Sequence, residues 1–506
     1  MKKLSLTAVA FLMLSLFNTK YLHAQDLEAF EKNVTEFTLD NGLSFVVMQR
    51  DVAPVVSFVT YIDVGAANEP VGQTGIAHIF EHMAFKGSGE IGTTNFEEEK
   101  KVIEQMDIAY REWLREKNRS NPDDEKLEEK WEEFERLQEE SHEYVVNNEF
   151  TQYIEREGAS GLNAFTSADA TAYFYSLPQN KAELWFSLEA DRFKQPVMRE
   201  FYTEKDVIHE ERRSRTDSNP MGRLLEEFIS IAYSAHPYKN PVIGWPSDIQ
   251  NTTIKDALEF YEDYYVPSNI TIGITGDIDP DEMKRLAELY FGDMPAGEPA
   301  PQLLIKEPEQ RGERRFVIED SSQPLFLMGF HGVAENHPDA KALDLLGSIL
   351  ADGRTSRLYR RMVVDDQSAL QLQALSGYPG SKYQSMFVTF VVPNQGVDVA
   401  DVEETVLEEI EKVKNGEITQ NELDRVRTNA RASLVRGLAS NSGLALRLAE
   451  ASGKHDDWRT IFTDLDELNE VTLDDLQRVA ATYLIEKNRT VGTIQNEQDE
   501  EVAGNQ

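Results

Sequence analysis

Cysteine is absent from all 506 residues. That excludes disulfides, a thiol nucleophile, thiolate zinc sites and a lipid-anchored N-terminal cysteine. Long apolar runs are equally scarce. The one such run, Leu4 to Phe17, falls short of the roughly 20 residues that span a bilayer, so no membrane insertion is expected. It follows Lys2 and Lys3 and precedes Leu22-His23-Ala24, the layout of a cleavable secretory signal over residues 1–24. The chain is therefore expected to be exported, periplasmic or secreted, after cleavage near Ala24. Basic residues are also in short supply: 51 Lys and Arg face 90 Asp and Glu, a formal net charge of −39. A field of that sign repels phosphate backbones, so nucleic acid is not an expected partner. It solubilises the surface and attracts basic peptides.

What remains is too long for one core. Between Glu36 and Val64 the pattern is strand, turn, strand, with Asn41-Gly42 as the hairpin turn. A helix over 75–85 follows. From Phe96 to Tyr144 the composition becomes charged, with Val102, Ile103, Met106, Tyr110, Trp113 and Leu114, then Leu127, Trp131, Phe134 and Leu137, at helical spacing. Asn121-Pro122-Asp123-Asp124 separates the two sets as a turn. Residues 96–146 therefore read as a helical hairpin inserted into a domain. Strands are expected in 161–178, helices near 181–193 and 204–215, and then helix 254–264, strand 269–275 and helix 280–290. Pro299, Pro301 and Pro308 mark a linker over 295–309.

Beyond the linker the order of elements repeats. RRFVIED and LFLMGFHGV read as strands, 337–350 as a helix and YQSMFVTFVV as a strand, and Asp474 to Ile494 repeats the helix-then-strand pattern of Lys255 to Thr275. The expected fold class is α+β, with two homologous α/β-sandwich domains at 28–294 and 310–495. The polar, acidic tail 496–506 is expected to be disordered.

His78, Glu81 and His82 occupy positions i, i+3 and i+4 of a predicted helix, so all three leave one face within one turn. Two imidazoles so placed can share a zinc ion while the carboxylate between them stands beside the water that attacks, taking its proton and passing it to the leaving amine. His-x-x-Glu-His is the reverse of the better-known zinc helix and is specific to the inverted class of zinc peptidases. A catalytic zinc takes three protein ligands and keeps one position open. The segment TEKDVIHEERR, 203–213, is the best source of the third.

HIFEHMAFKGS, LNAFTSADATAYFYSLP and EKDVIHEERRSRTDSNPMGR resemble successive signature segments of the pitrilysin/insulinase family of zinc peptidases. The resemblance runs through the mature chain and is sharpest from Val64 to Asp277, YYVPSNITIGITGD included. It implies an insulinase- or mitochondrial-processing-peptidase-like fold forming half of a peptide-enclosing chamber, and one Zn(2+) per chain. By resemblance Glu211 is the distal ligand, and Glu204, seven residues earlier on the same helical face, supports the site as a catalytic carboxylate. Glu210 is the alternative ligand, while His209 reads as a packing or surface residue. Manganese or cobalt would also fit such donors. The stretch from His82 to Glu211 is longer than the family's usual one, and the charged hairpin accounts for the surplus.

The family holds an extended peptide as an added strand on a sheet edge, and Gly161 to Phe165 matches the segment that supplies it. Asn163, Ala164 and Phe165 are thus the expected substrate-binding residues; a strand-end turn is the other reading of Asn163. Active members also need an Arg and a Tyr, seven residues apart, from the domain that faces the zinc. Aligned on Ser356-Arg357-Leu358-Tyr359, those places hold Val363 and Leu370, neither of which can donate a hydrogen bond. Arg360 or Arg361 with Tyr378 would be substitutes at a spacing that gives no support. Asp344 to Ser348, where the second half repeats the zinc helix, contains no His. The second half is accordingly expected to be inactive. The chain is expected to be the zinc-bearing subunit of an endopeptidase for short or unfolded peptides. A homologous partner subunit would supply Arg and Tyr in a heterodimer, with a homodimer as the nearest variant. A non-enzymatic peptide-binding or assembly subunit of the same fold is the alternative.

Overall fold

The computed structural model describes residues 30–495; the leader expected over 1–24 and the tail expected over 496–506 lie outside them. β1 (Val34–Thr38) and β2 (Ser44–Gln49) form the first hairpin. Gly42 in its turn has φ 96°, a left-handed conformation that glycine alone takes without strain. β3 (Val55–Ile62), β4 (Ser160–Thr166), β5 (Thr171–Pro178) and β6 (Ile270–Gly276) complete a six-stranded sheet in the order β1-β2-β6-β3-β5-β4. Only β2 and β6 run parallel.

A second sheet contains β7 (Arg314–Glu319), β8 (Leu325–His331), β9 (Ala369–Tyr378), β10 (Met386–Pro393) and β11 (Arg489–Gln495), in the order β7-β11-β8-β10-β9. Here only β7 and β11 are parallel. Without β1, the first sheet has the same order and the same sense of pairing, so the halves are two copies of one α+β design.

In the first half α1 (Ile76–Met83) follows β3, and α2 (Phe96–Lys117) and α3 (Asp124–His142) form a hairpin capped by Asn95 and Asp123. The hairpin buries Met106, Tyr110, Phe134 and Leu137 in the first core, and Trp113 meets Trp131 at 4.8 Å between its arms. After α4 (Glu149–Arg156) come α5 (Ala182–Lys194), α6 (Phe201–Arg212), α7 (Pro220–Ala232), α8 (Ile254–Tyr264) and α9 (Pro280–Phe291). The second half contains α10 (Ala340–Ala351), α11 (Val399–Lys414), α12 (Gln420–Gly437), α13 (Asn441–His455), α14 (Thr460–Glu470) and α15 (Leu473–Tyr483). Among the described residues no helix is long and apolar enough to cross a membrane.

Two helices change sides. α7 lays Leu224 and Phe228 on the second sheet against Leu325, Leu327 and Val388. In return α13 lays Leu444 and Leu448 against Val46 and Met48, and Ala445 and Ala449 against Val59 and Tyr61, on the first sheet. Each sheet is therefore covered on both faces, which is why β3 and β8 read as nearly unbroken apolar runs. Small residues permit the close crossing: a Cβ added at Gly273 would stand 2.3 Å from the Ala445 carbonyl oxygen, and one at Gly329 would stand 2.7 Å from Phe228 Cζ. The halves also meet where Asp169, in the β4–β5 turn, accepts the N–H groups of Ser381 and Lys382 from the β9–β10 loop.

Candidate metal centre

α1 starts abruptly because Gly75 precedes it at φ 91° and a buried carboxylate holds its first turn. Glu69 accepts the N–H groups of Gly75 and Ala77 at 2.9 and 3.0 Å. Burial pushes the Glu69 pKa well up, and those two donors only partly offset it. Ile76, Ile79, Phe80 and Met83 then bury one face of the helix, which leaves His78, Glu81 and His82 on the other.

The two imidazoles stand 4.9 Å apart, nearly perpendicular. α6 crosses beside them. Near its C-terminal end, Glu211 places Oε2 3.3 Å from His82 Nε2 and 3.8 Å from His78 Nε2. Two donors on one tetrahedral zinc ion stand about 3.3 Å apart. Among the described residues, His78, His82 and Glu211 are the one set of three or more such groups whose donor atoms lie within 4.8 Å of one another.

The electrostatics also suit a metal. Burial, with repulsion from His82 and Arg215, takes the His78 pKa down to about 3, so its ring is neutral as a ligand must be. His78 Nδ1 is buried and has no hydrogen-bond partner among the described residues. His82 differs: burial disfavours its charge, but the Glu204 hydrogen bond and the charges of Glu204, Glu211 and Glu81 outweigh burial and raise its pKa. Glu204 Oε2 lies 3.1 Å from His82 Nδ1, which fixes the tautomer that leaves Nε2 free towards Glu211. Lys86 Nζ reaches Glu204 Oε1 at 2.5 Å. Burial works upward on Glu204, yet His82 and Lys86 together hold it below the usual carboxylate range. Glu81 is half-buried, and burial holds its carboxyl above the ordinary range, the direction that makes a carboxylate a stronger base.

The other candidates fall elsewhere. Glu210 points to solvent, 3.2 Å from Arg213. His209 is half-buried on another face of α6, with its pKa lowered by burial. Asn163, Ala164 and Phe165 lie on β4, the last strand of its sheet, paired with Phe174, Tyr173 and Ala172 of β5 on one side. β4 packs against α1. The Ala164 N–H is taken by the Asn163 side chain at 2.9 Å. In the second half Arg361 is held by Glu408 and Glu409 of α11. Val363 packs on the second core, and Leu370 is exposed on β9.

Three residues around the centre escaped the sequence reading. Lys86 lies four residues after His82 and binds Glu204; Arg215 lies four after Glu211 and reaches its Oε1 at 2.6 Å. One-turn spacing was the available signal for both. Glu69 had no local signal, since only the fold brings it to the start of α1.

Comparison with known proteins identifies the family. The family model described as insulinase (peptidase family M16) matches residues 45–107 and 135–245, and that of the peptidase M16 inactive domain matches 251–430. The zinc protease PqqE of Helicobacter pylori is 30% identical over 481 residues, covering 93% of this chain and 94% of its own. An uncharacterized zinc protease, YmxG of Bacillus subtilis, is 23% identical over 90% of this chain and 96% of its own. A crystal structure of a protease from Helicobacter pylori superposes with a TM-score of 0.76 at 28% identity, over 91% of this chain and 99% of that one. The periplasmic protease PqqL of Escherichia coli shares the fold at TM-score 0.65 and 18% identity, over 94% of this chain and 48% of that one. On the length and identity of these matches, the chain belongs to the insulinase family, peptidase family M16.

Proposed function

We propose that the chain is the zinc-bearing subunit of a two-subunit endopeptidase, exported to the periplasm or secreted, that cuts short or unfolded peptides. The observation that carries this reading is the convergence of His78, His82 and Glu211 donor atoms within 4.8 Å, with Glu81 on the same helix face. These three residues would hold one zinc ion, with residues 28–294 as the zinc-bearing domain and 310–495 as its inactive counterpart across the 295–309 linker. Zinc, when bound, supplies Lewis acidity that favours ionisation of water near neutral pH and polarises the scissile carbonyl. Glu81 takes the proton of the attacking water and returns it to the leaving amine. Glu204 keeps His82 in the ligand tautomer. The β4 edge, through Asn163, Ala164 and Phe165, aligns the peptide as an added strand, which reads extended backbone more than sequence.

The partner is inferred from what the second half offers. Val363 and Leu370 stand at the two aligned places and Arg361 is engaged by Glu408 and Glu409, so those positions offer no Arg and Tyr to stabilise a developing oxyanion. The likeness to one half of PqqL fits a chain that works opposite a second, homologous one. The same gap supports the second reading, a peptide-binding or assembly subunit without activity.

Hydrolysis of a quenched, unstructured peptide library separates these readings. The mature chain would be assayed alone and with a homologous partner, with and without chelator, and as Glu81→Gln. Chelator-sensitive cleavage that Glu81→Gln abolishes establishes the peptidase, and cleavage only with the partner establishes the two-subunit site. Equal cleavage with and without it refutes the partner; zinc binding with no cleavage in any combination favours the assembly subunit.

A further inference from the structure

Glu99 sits in the first turn of α2 and Arg199 just before α6, yet the two side chains meet with almost no exposed surface, 0% and 1%. A buried ion pair is unfavourable unless every donor is satisfied. Arg199 meets that condition. Nε and Nη2 donate to the two Glu99 oxygens at 2.6 and 2.8 Å, and the remaining N–H groups reach the carbonyls of Lys86 at 2.6 Å, Ile91 at 3.0 Å and Ser88 at 3.1 Å. All five guanidinium donors are used. The three carbonyls belong to the loop that leaves α1, and a Cβ at Gly92 would stand 2.5 Å from Arg199 Nη1, so this loop is shaped around the guanidinium.

The chain of contacts continues inward. Lys86, its carbonyl pinned by Arg199, extends its ammonium to Glu200 at 2.9 Å and Glu204 at 2.5 Å, and Glu204 meets His82 at 3.1 Å. We propose that Arg199 and Glu99 are positioning residues of the metal centre, fixing Lys86 so that Glu204 keeps its hydrogen bond to His82 Nδ1 and His82 presents Nε2 to the ion. The α2–α3 hairpin is then an outer part of the centre, because Glu99 is its contribution. The proposal rests on the zinc reading above. Its rival is a pair that stabilises the fold and does nothing for the metal.

The test is zinc affinity of the full mature chain, measured by competition with a chromogenic chelator well below each melting midpoint. The variants are Glu99→Gln, Arg199→Lys and Lys86→Met, with Phe291→Leu, a core change on α9 away from the centre, as the stability control. Wild type should bind one zinc, and each of the three should bind about tenfold or more weakly. Phe291→Leu should bind as wild type despite a lower melting midpoint. Combining Glu99→Gln with Lys86→Met should add little, since both act through one path. Wild-type affinity in Glu99→Gln, or a loss that Phe291→Leu reproduces, overturns the proposal. If Glu99→Gln does not fold, Lys86→Met leaves the buried pair in place, and wild-type affinity there overturns it equally. Failure of the wild type to bind zinc removes the underlying reading, a result distinct from all of these.

Discussion

Arg215 Nη1 stands 2.6 Å from Glu211 Oε1, so one oxygen of that carboxylate is held while the other, Oε2, faces His78 and His82. A carboxylate steadied at one oxygen offers the other in a fixed direction. Arg215→Gln should weaken zinc binding by about tenfold. The side chain is 73% exposed, so the melting midpoint should barely move. Unchanged affinity in a chelator competition would show that Arg215 is only a surface partner.

Removal of ligands should sort the neighbours on α6. His78→Ala and Glu211→Gln should each abolish stoichiometric zinc binding in the folded chain. His209→Ala and Glu210→Gln should keep it, because neither group reaches the other donors. Metal analysis after dialysis checks this, and zinc loss in Glu210→Gln with retention in Glu211→Gln would reverse the assignment.

Glu69 provides a test of how α1 is held. Glu69→Ala leaves the N–H groups of Gly75 and Ala77 without their acceptor in a buried place, a cost of about 2–4 kcal/mol. Glu69→Gln keeps one carbonyl acceptor and should cost less. Denaturant midpoints measure both, and an alanine variant as stable as wild type would mean that α1 starts without this carboxylate.

The crossing helices make Gly273 a sensitive position. Its substitution by Ala would press a methyl against the Ala445 carbonyl, and Gly273→Ala should destabilise by about 2 kcal/mol or more. A neutral result in thermal unfolding would indicate that α13 lifts off the first sheet at little cost.

Acid should act partly through Glu422. Burial alone would raise its pKa, but Arg357 and the backbone and hydroxyl donors of Thr419 draw it down to about 2 from the ordinary 4.5. The unfolded chain binds this proton first, so the stability from this group is full above pH 4.5 and lost as pH falls from 4.5 towards 2. With solvent screening its share is about 1–2 kcal/mol. Glu422→Gln should be less stable than wild type at pH 7, and the gap should shrink on descending through that window. A gap that stays constant to pH 3 would contradict the linkage.

Much of the fold was legible in sequence because strand alternation, turn glycines and helical spacing are local. The α+β class and the repeated order of elements came from such signals. Placing His78, Glu81 and His82 on one helix face needed only the 3.6-residue period. Distinguishing Glu211 from Glu210 did not follow from the residues alone and came from the family resemblance. Glu99 and Arg199 looked like ordinary charges in a charged stretch, and no local pattern announces a pair joined across 100 positions. The exchange of α7 and α13 was hidden for a similar reason: an apolar stripe shows that a helix buries a face, never whose sheet it covers.

That exchange has a mechanical consequence. Because each half lends the other one wall, the halves are interlocked, and a cut in the 295–309 segment should yield two nicked pieces that remain associated instead of two free modules. Swinging them apart would strip a helix from both sheets at once. On the two-subunit reading proposed above, the opening that admits a peptide should therefore lie between this chain and its partner, with no hinge at 295–309.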